Sequence, residues 1–346
     1  MQQPHIVSEQ NKIDAAWLTA VLRQAGVDGT VSDFNATTIG TGQVGENVRF
    51  ELIGDEVPAT VVGKFPSADP VSKQTGIDLQ NYVREVFFYE TLQDTVDITT
   101  PRVYFADVDP ETHDFVIIME DLAPGEPGDQ LAGCNIDEAA LALEELAKLQ
   151  GPRWGDESLT EYPLLASAGG DPTTMQQFYK SLEPGFLERY DTWLDGGQQA
   201  IVSRLGTVWH PYQDIYTGPP GLIHVDYRLD NMMFGGPYKL AVVDWQSIAL
   251  GCPVADASYF LGTSLPPDIR AKEERHLFRH YLDVLKSYKV DLDDETGFSL
   301  YRNFAPGGLI MAVIASMIVG QTERGDAMFM AMAQRSARMC EDLGSL

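Results

Sequence analysis

Short β-branched and aromatic runs separated by turn residues fill the first third of the chain: Val48 to Ile53, Ala59 to Phe65, Val103 to Val108 and Phe115 to Met119. Their length and composition predict antiparallel strands. Between the second and third, Leu79, Tyr82, Val83, Val86, Phe87 and Tyr89 recur at helical spacing and predict one helix over 78–92, inserted in a small sheet. The stretch from Ala123 to Gly128, with two prolines and two glycines, ends this texture. Asn135 and Glu138 then stand in capping-box spacing ahead of Ala139, Leu143, Leu146 and Leu149, which share one helical face. Further helical patterns run from Thr174 to Tyr190, Gly197 to Leu205, Lys272 to Tyr288 and Phe304 to Ala337, interrupted by a strand-rich island from Gly221 to Val243. The expectation is an α+β chain of two lobes. Residues 1–122 form a small antiparallel sheet with one helix, and residues 123–346 form a larger, mainly helical lobe containing one β-hairpin.

Charge narrows the function classes. The 346 residues hold 51 acidic and 24 basic side chains, a formal net charge of −27, with no Lys/Arg-rich run. A protein that grips a nucleic-acid backbone needs a basic face to displace counterions, so no nucleic-acid partner is expected. The acidity is densest in residues 1–122 (20 acidic, 7 basic) and thinner over 123–346 (31 acidic, 17 basic), which reads as a solvated surface more than a tuned binding field. Cys134, Cys252 and Cys340 are far apart and odd in number, against a disulfide framework or a paired-cysteine metal site, and a reducing cytoplasmic setting is expected. Residues 1–10 lack a basic start followed by an apolar stretch, so no signal peptide is expected. The longest apolar run, Leu309 to Val319, is shorter than the roughly 18 residues a bilayer span requires. It predicts a buried helix and no membrane span. Trp154, Trp193, Trp209 and Trp245 read as core, and the histidines outside the strand-rich island, His210 among them, form no ligand-like cluster.

Three constellations carry chemistry. Gly40, Gly42 and Gly45 form a GxGxxG that runs into a strand, unlike a dinucleotide-binding turn, which opens a helix. A glycine-rich turn between two strands lets backbone amides approach phosphates with no side chain in the way. Lys64 ends the next strand, and the helix that follows supplies an acidic partner to fix its amine, Glu85, with Glu90 as the alternative. The third constellation is His224-Val225-Asp226-Tyr227-Arg228-Leu229-Asp230-Asn231, followed by Val243-Asp244-Trp245, each introduced by an apolar strand-like run. The five-residue step from Asp226 to Asn231 lets one loop present a carboxylate and an amide to a single site. Asp244 adds a hard oxygen of the kind Mg²⁺ prefers beside nucleotide phosphates.

These residues resemble the catalytic signature of the aminoglycoside phosphotransferase and choline-kinase-like superfamily of small-molecule kinases, with ecdysteroid-kinase-like and acyl-CoA-dehydrogenase-associated phosphotransferases as the nearest relatives. The resemblance extends from about Gly40 to Gly262 and implies a bilobal protein-kinase-like fold using ATP and Mg²⁺ to phosphorylate a hydroxyl of a small-molecule acceptor. It implies Asp226 as the catalytic carboxylate, Asn231 and Asp244 as Mg²⁺ ligands, and Lys64 on the α/β-phosphates against Glu85. Arg228 would supply charge near the transferred phosphoryl group. The segment Met119-Glu120-Asp121-Leu122 would be the connector whose backbone, at Glu120 and Leu122, holds adenine. Asp256 is expected to brace the catalytic loop from a buried helix start.

Two positions depart from the family pattern: Val225 stands where glycine is usual, and Gln150 where histidine is frequent. The first keeps open an impaired, nucleotide-binding pseudokinase, and an aminoglycoside phosphotransferase proper is the other alternative. Tyr227, Met232, Met233, Phe234 and Trp245 near the catalytic loop suit a neutral or amphipathic acceptor better than a polycation, and read equally well as core. The chain is expected to act as a monomer or homodimer.

Overall fold

The computed structural model describes residues 4–40, 44–166, 172–208, 216 and 218–346. Gly42, Trp209 and His210 lie outside the described residues. Helix α1 (Ala15–Gln24) precedes a hairpin of β1 (Thr30–Ile39) and β2 (Gly45–Asp55), then β3 (Thr60–Pro66), α2 (Pro70–Asp78), α3 (Asn81–Phe87), β4 (Val103–Val108) and β5 (Phe115–Glu120). The strands form one antiparallel sheet in the order β1-β2-β3-β5-β4. Alternation along the strands gives this sheet two apolar faces. Val48, Phe50, Val61, Phe65, Val116 and Ile118 pack under Trp17, Leu18, Val21 and Leu22 of α1. Val62, Ile117 and Met119 face the other way, into the main core with Tyr82 and Val86 of α3.

The N-terminal lobe thus holds α1 and α2 in addition to the single helix predicted. In α2 only Gly76 is buried, so its sequence has no apolar stripe to read. The predicted helix over 78–92 is entered through Gln80, whose φ of 57° ends α2, and it continues past Phe87 as a π-helical turn over Phe88–Leu92. Strand β1 is an edge strand in which only Val31 is buried, which is why its polar run carries no strand signal.

The larger lobe opens with β6 (Glu126–Pro127) and α4 (Ile136–Gln150), whose capping box closes as predicted: Glu138 N–H donates to Asn135 Oδ1 and Asn135 N–H to Glu138 Oε2, both at 2.9 Å. Helices α5 (Pro172–Arg189) and α6 (Gly196–Val208) follow. The strand-rich island yields β7 (Gly221–Ile223), β8 (Met232–Phe234), β9 (Leu240–Val242) and β10 (Ala249–Gly251). The predicted hairpin is β8–β9; β6 joins it as a third strand, and β7 pairs with β10.

Helices α7 (Val254–Ser264), α8 (Pro267–Ser287), α9 (Asp294–Asn303), α10 (Gly307–Ile318) and α11 (Glu323–Leu343) complete the chain. Every residue of α7 except Ala255 is buried, so no polar face marks a period. The pattern from Phe304 to Ala337 resolves into two helices, because Val319 is extended and Thr322 caps α11 by accepting from Gly325 N–H. Among the described residues no helix is long and apolar enough to cross a membrane.

Candidate active site

The sheet supplies the roof of the site. Gly40 turns out of β1 with φ of 72°, a conformation costly for residues with a Cβ. At the other end of the turn, a Cβ on Gly45 would stand 3.3 Å from Lys64 Cε, so the hairpin lies directly over the lysine. Lys64 Nζ bridges two carboxylates. It donates to Glu85 Oε1 and to Asp244 Oδ1, each at 2.8 Å, and its side chain is 10% exposed. Glu90 is exposed on the far side of the helix, so Glu85 is the partner.

Burial works against the lysine's charge, but Asp244 and Glu85 outweigh it and raise the Lys64 pKa. Burial pushes the Glu85 carboxyl up to about 7, against the pull of Lys64 and with the Asp244 charge adding to the rise.

Helix α3 is fastened to the segment that carries Asp244. Asn81 Nδ2 donates to Gln246 O (3.2 Å), the buried Arg84 donates to Ile248 O (3.2 Å) and to Leu164 O, and Phe88 stacks on Trp245 with centroids 3.7 Å apart. Phe88 opens the π-helical turn, and such turns concentrate at functional sites.

The floor is the loop between β7 and β8. Its entry hangs from Asp256 at the start of α7: His224 N–H donates to Oδ2 (2.6 Å) and Val225 N–H to Oδ1 (3.1 Å). This is the bracing role expected of Asp256. Burial raises its carboxyl to about 7, against the two backbone N–H groups. Val225 has φ of 72°, which explains why glycine is usual there, and Asp244 has φ of 68°.

Beyond this turn Asp226 is gripped from three sides. Arg228 Nε donates to both its oxygens (2.9 and 3.0 Å), Tyr259 Oη to Oδ1 (2.8 Å) and Asn231 Nδ2 to Oδ2 (3.0 Å). Burial favours the neutral acid, but Arg228, foremost, and Tyr259 overcome it and hold the Asp226 pKa below the usual carboxylate value. Arg228 is itself shared, with Nη1 donating to Asp230 Oδ2 at 2.8 Å, and Arg324 of α11 reaches the same Asp230 carboxylate at 3.2 Å. Tyr259 escaped the sequence reading because it lies on α7, whose burial on all sides leaves no periodic signal.

The pairing of Met232 with Val242 in β8 and β9 sets Asn231 opposite Val243, the residue before Asp244; Val243 N–H donates to Asn231 O at 3.0 Å. Asn231 spends its Nδ2 on Asp226 O (2.8 Å) and Oδ2, which leaves its amide oxygen to face a ligand. An amide oxygen and a carboxylate side by side are the hard donors that suit Mg²⁺. The connector begins in the last residues of β5: Glu120 Oε2 accepts from Tyr238 Oη (2.9 Å), and the Leu122 carbonyl accepts from Gly125 N–H (2.8 Å). At Gln150, Nε2 donates to Pro253 O (2.9 Å) and Oε1 accepts from Tyr281. A neutral amide supplies the one donor and the one acceptor that these partners need.

Residues 172–293 match the model of the ecdysteroid kinase-like family. No curated protein matches the chain. Among solved structures it is similar to the GDP complex of an aminoglycoside 2'-phosphotransferase (15% identity, 94% of this chain and 99% of that one, TM-score 0.54). It is also similar to a spectinomycin phosphotransferase in complex with ADP and spectinomycin (11% identity, 97% and 100%, TM-score 0.53). At these identities the structural likeness establishes the fold. The family model over residues 172–293 and the fold agree with the resemblance the motifs carry, and the chain has a bilobal, protein-kinase-like architecture.

Proposed function

We propose that the chain is an ATP- and Mg²⁺-dependent phosphotransferase that moves the γ-phosphate to a hydroxyl of a small molecule, with residues 1–122 binding nucleotide and residues 123–346 binding the acceptor. The observation that carries this reading is the contact of Lys64 Nζ with both Glu85 and Asp244. A cation fixed by one carboxylate and aligned by a second is what the α/β-phosphates need in order to be held in line. Backbone at Gly40 and Gly45 would cover the phosphates. Asn231 and Asp244 would hold Mg²⁺, which supplies neutralisation of phosphate charge when bound.

Asp226 stays ionised under the grip of Arg228 and Tyr259. It accepts a hydrogen bond from the acceptor hydroxyl, aims the oxygen lone pair at the phosphorus, and takes the proton as the new P–O bond forms and the bond from the γ-phosphorus to the β,γ-bridging oxygen breaks, with ADP as the leaving group. Arg228 holds that carboxylate and keeps positive charge beside the transfer site.

For the acceptor, a neutral or amphipathic molecule is favoured over an aminoglycoside, because residues 123–346, which would bind it, are less acidic per residue than residues 1–122. The pseudokinase alternative rests on Val225, and the three groups that grip Asp226 do not involve the Val225 side chain. The three buried free thiols fit a reducing cytoplasm. The test is thermal stabilisation by ATP with Mg²⁺, followed by an ATP-consumption screen over hydroxylated metabolites that includes aminoglycosides, choline, sugars and sterols. A flat melting profile across millimolar ATP would end the kinase reading.

A further inference from the structure

The connector is gripped from both lobes by side chains that no motif contains. Asp121, 4% exposed at its side chain, receives Arg49 Nε at Oδ2 (2.6 Å) and Arg49 Nη2 at Oδ1 (3.0 Å), and Oδ1 also accepts from Ala123 N–H (3.1 Å). From the other lobe, Tyr238 holds Glu120, and the β8–β9 turn packs so closely that a Cβ on Gly236 would stand 2.5 Å from the Leu122 carbonyl oxygen. The register of β2 on β3 places Arg49 with care. Asn47 is opposite Lys64 and Arg49 opposite Val62. Side chains two apart share a face, so Arg49 projects from the same face as Lys64, about two residues nearer the connector. The strand that leaves the glycine turn is therefore tied to the connector by a two-pronged, charge-assisted pair, the geometry in which arginine gives most positional definition.

We infer that Arg49 is a nucleobase-positioning residue: through Asp121 it fixes the connector backbone against the glycine hairpin, so that affinity for the base, and not for the phosphates, depends on this pair. The inference rests on the kinase reading, in which Lys64 takes the phosphates and the connector takes the base. Asp121 and Arg49 touch no reacting atom. Their contribution appears in the binding of ATP relative to a ligand that has phosphates and no base.

The experiment is calorimetric titration of the full chain, with Mg²⁺, against ATP and against inorganic tripolyphosphate, for wild type, Arg49→Lys and Asp121→Asn. Both variants are expected to weaken ATP by about tenfold while tripolyphosphate binding is unchanged, the scale of effect when a positioned recognition element loses its register. Asp121→Asn is the decisive arm. Removing a negative charge near the nucleotide should, by electrostatics alone, tighten both ligands, whereas loss of positioning weakens ATP only. Equal ATP affinity in wild type and Asp121→Asn, or parallel changes for both ligands, overturns the inference. Melting curves without ligand show that the variants are folded. Wild type that binds neither ligand would instead overturn the kinase reading itself, and the two failures are thereby distinct.

Discussion

Val225 offers a measurement whose sign depends on one backbone angle. With φ of 72°, a β-branched residue sits in the left-handed region, which costs a residue bearing a Cβ about 1–2 kcal/mol. Replacing valine by either alanine or glycine removes both half-buried γ-methyl groups, so the two variants differ only in the Cβ that sets the backbone penalty. At an ordinary position glycine is the less stable of the pair by about 0.5–1 kcal/mol, because its unfolded chain has more freedom to lose. Here alanine retains the left-handed penalty and glycine escapes it, so Val225→Gly should exceed Val225→Ala by about 0.5–1 kcal/mol. The loop cannot evade the strain by relaxing, since both His224 and Val225 N–H groups are held by Asp256. Urea or thermal denaturation of the two variants side by side reads the difference. An alanine variant at least as stable as the glycine variant would refute a left-handed Val225. Turnover of Val225→Gly should stay within about threefold of wild type, because Arg228, Tyr259 and Asn231 fix Asp226 without help from the valine side chain.

Other expectations follow from the same geometry. Asp226→Asn should lower kcat by about 10²-fold or more with little change in ATP affinity, and full activity in that variant would remove Asp226 from its assigned role. Asp244→Ala, or removal of Mg²⁺ with a chelator, should shrink the thermal shift produced by ATP; an undiminished shift would mean that Asp244 holds no metal. The carboxyl of Asp256, raised to about 7 in the folded chain against about 3.9 unfolded, retains a proton that the unfolded chain releases. Its stabilising contribution is present below about pH 4 and lost as pH rises through 7. Melting temperature should therefore fall from pH 5 to pH 8 in wild type and fall less steeply in Asp256→Asn, and equal slopes would contradict the raised value.

Much of the site is legible in the chain because it is written at short range. The step from Asp226 to Asn231, the strand before Lys64 and the helix carrying Glu85 are local patterns, and the structure places these residues together. Asp256 could be assigned its bracing role because it opens a segment close behind the catalytic loop. Tyr259 could not, since α7 is buried on nearly every side and shows no alternation of polar and apolar positions. Edge strand β1 was silent for the opposite reason: one buried residue in ten leaves no apolar pattern. The pairing of Arg49 with Asp121 spans 72 positions and belongs to no motif, so only strand register could expose it.

The fastening of α3 onto the 244–248 segment bears on how the chain is made. Lys64 meets Asp244 across 180 positions, Asn81 meets Gln246 across 165, and Arg84 meets Ile248 across 164. During synthesis the five-stranded sheet has all its own strands once residue 120 has emerged, and N-terminal units fold first. Yet Arg84, buried in the finished protein, has none of its carbonyl partners until the ribosome has passed residue 164, and the second waits for residue 248. A nascent N-terminal lobe must therefore keep this arginine hydrated at its surface, with α3 held by Glu85 on Lys64 and by Tyr82 on Val44 and Phe115, while more than a hundred further residues are added. Chains interrupted before residue 164 are left with neither carbonyl partner for this cation, and proteolytic clearance of such fragments should begin at α3.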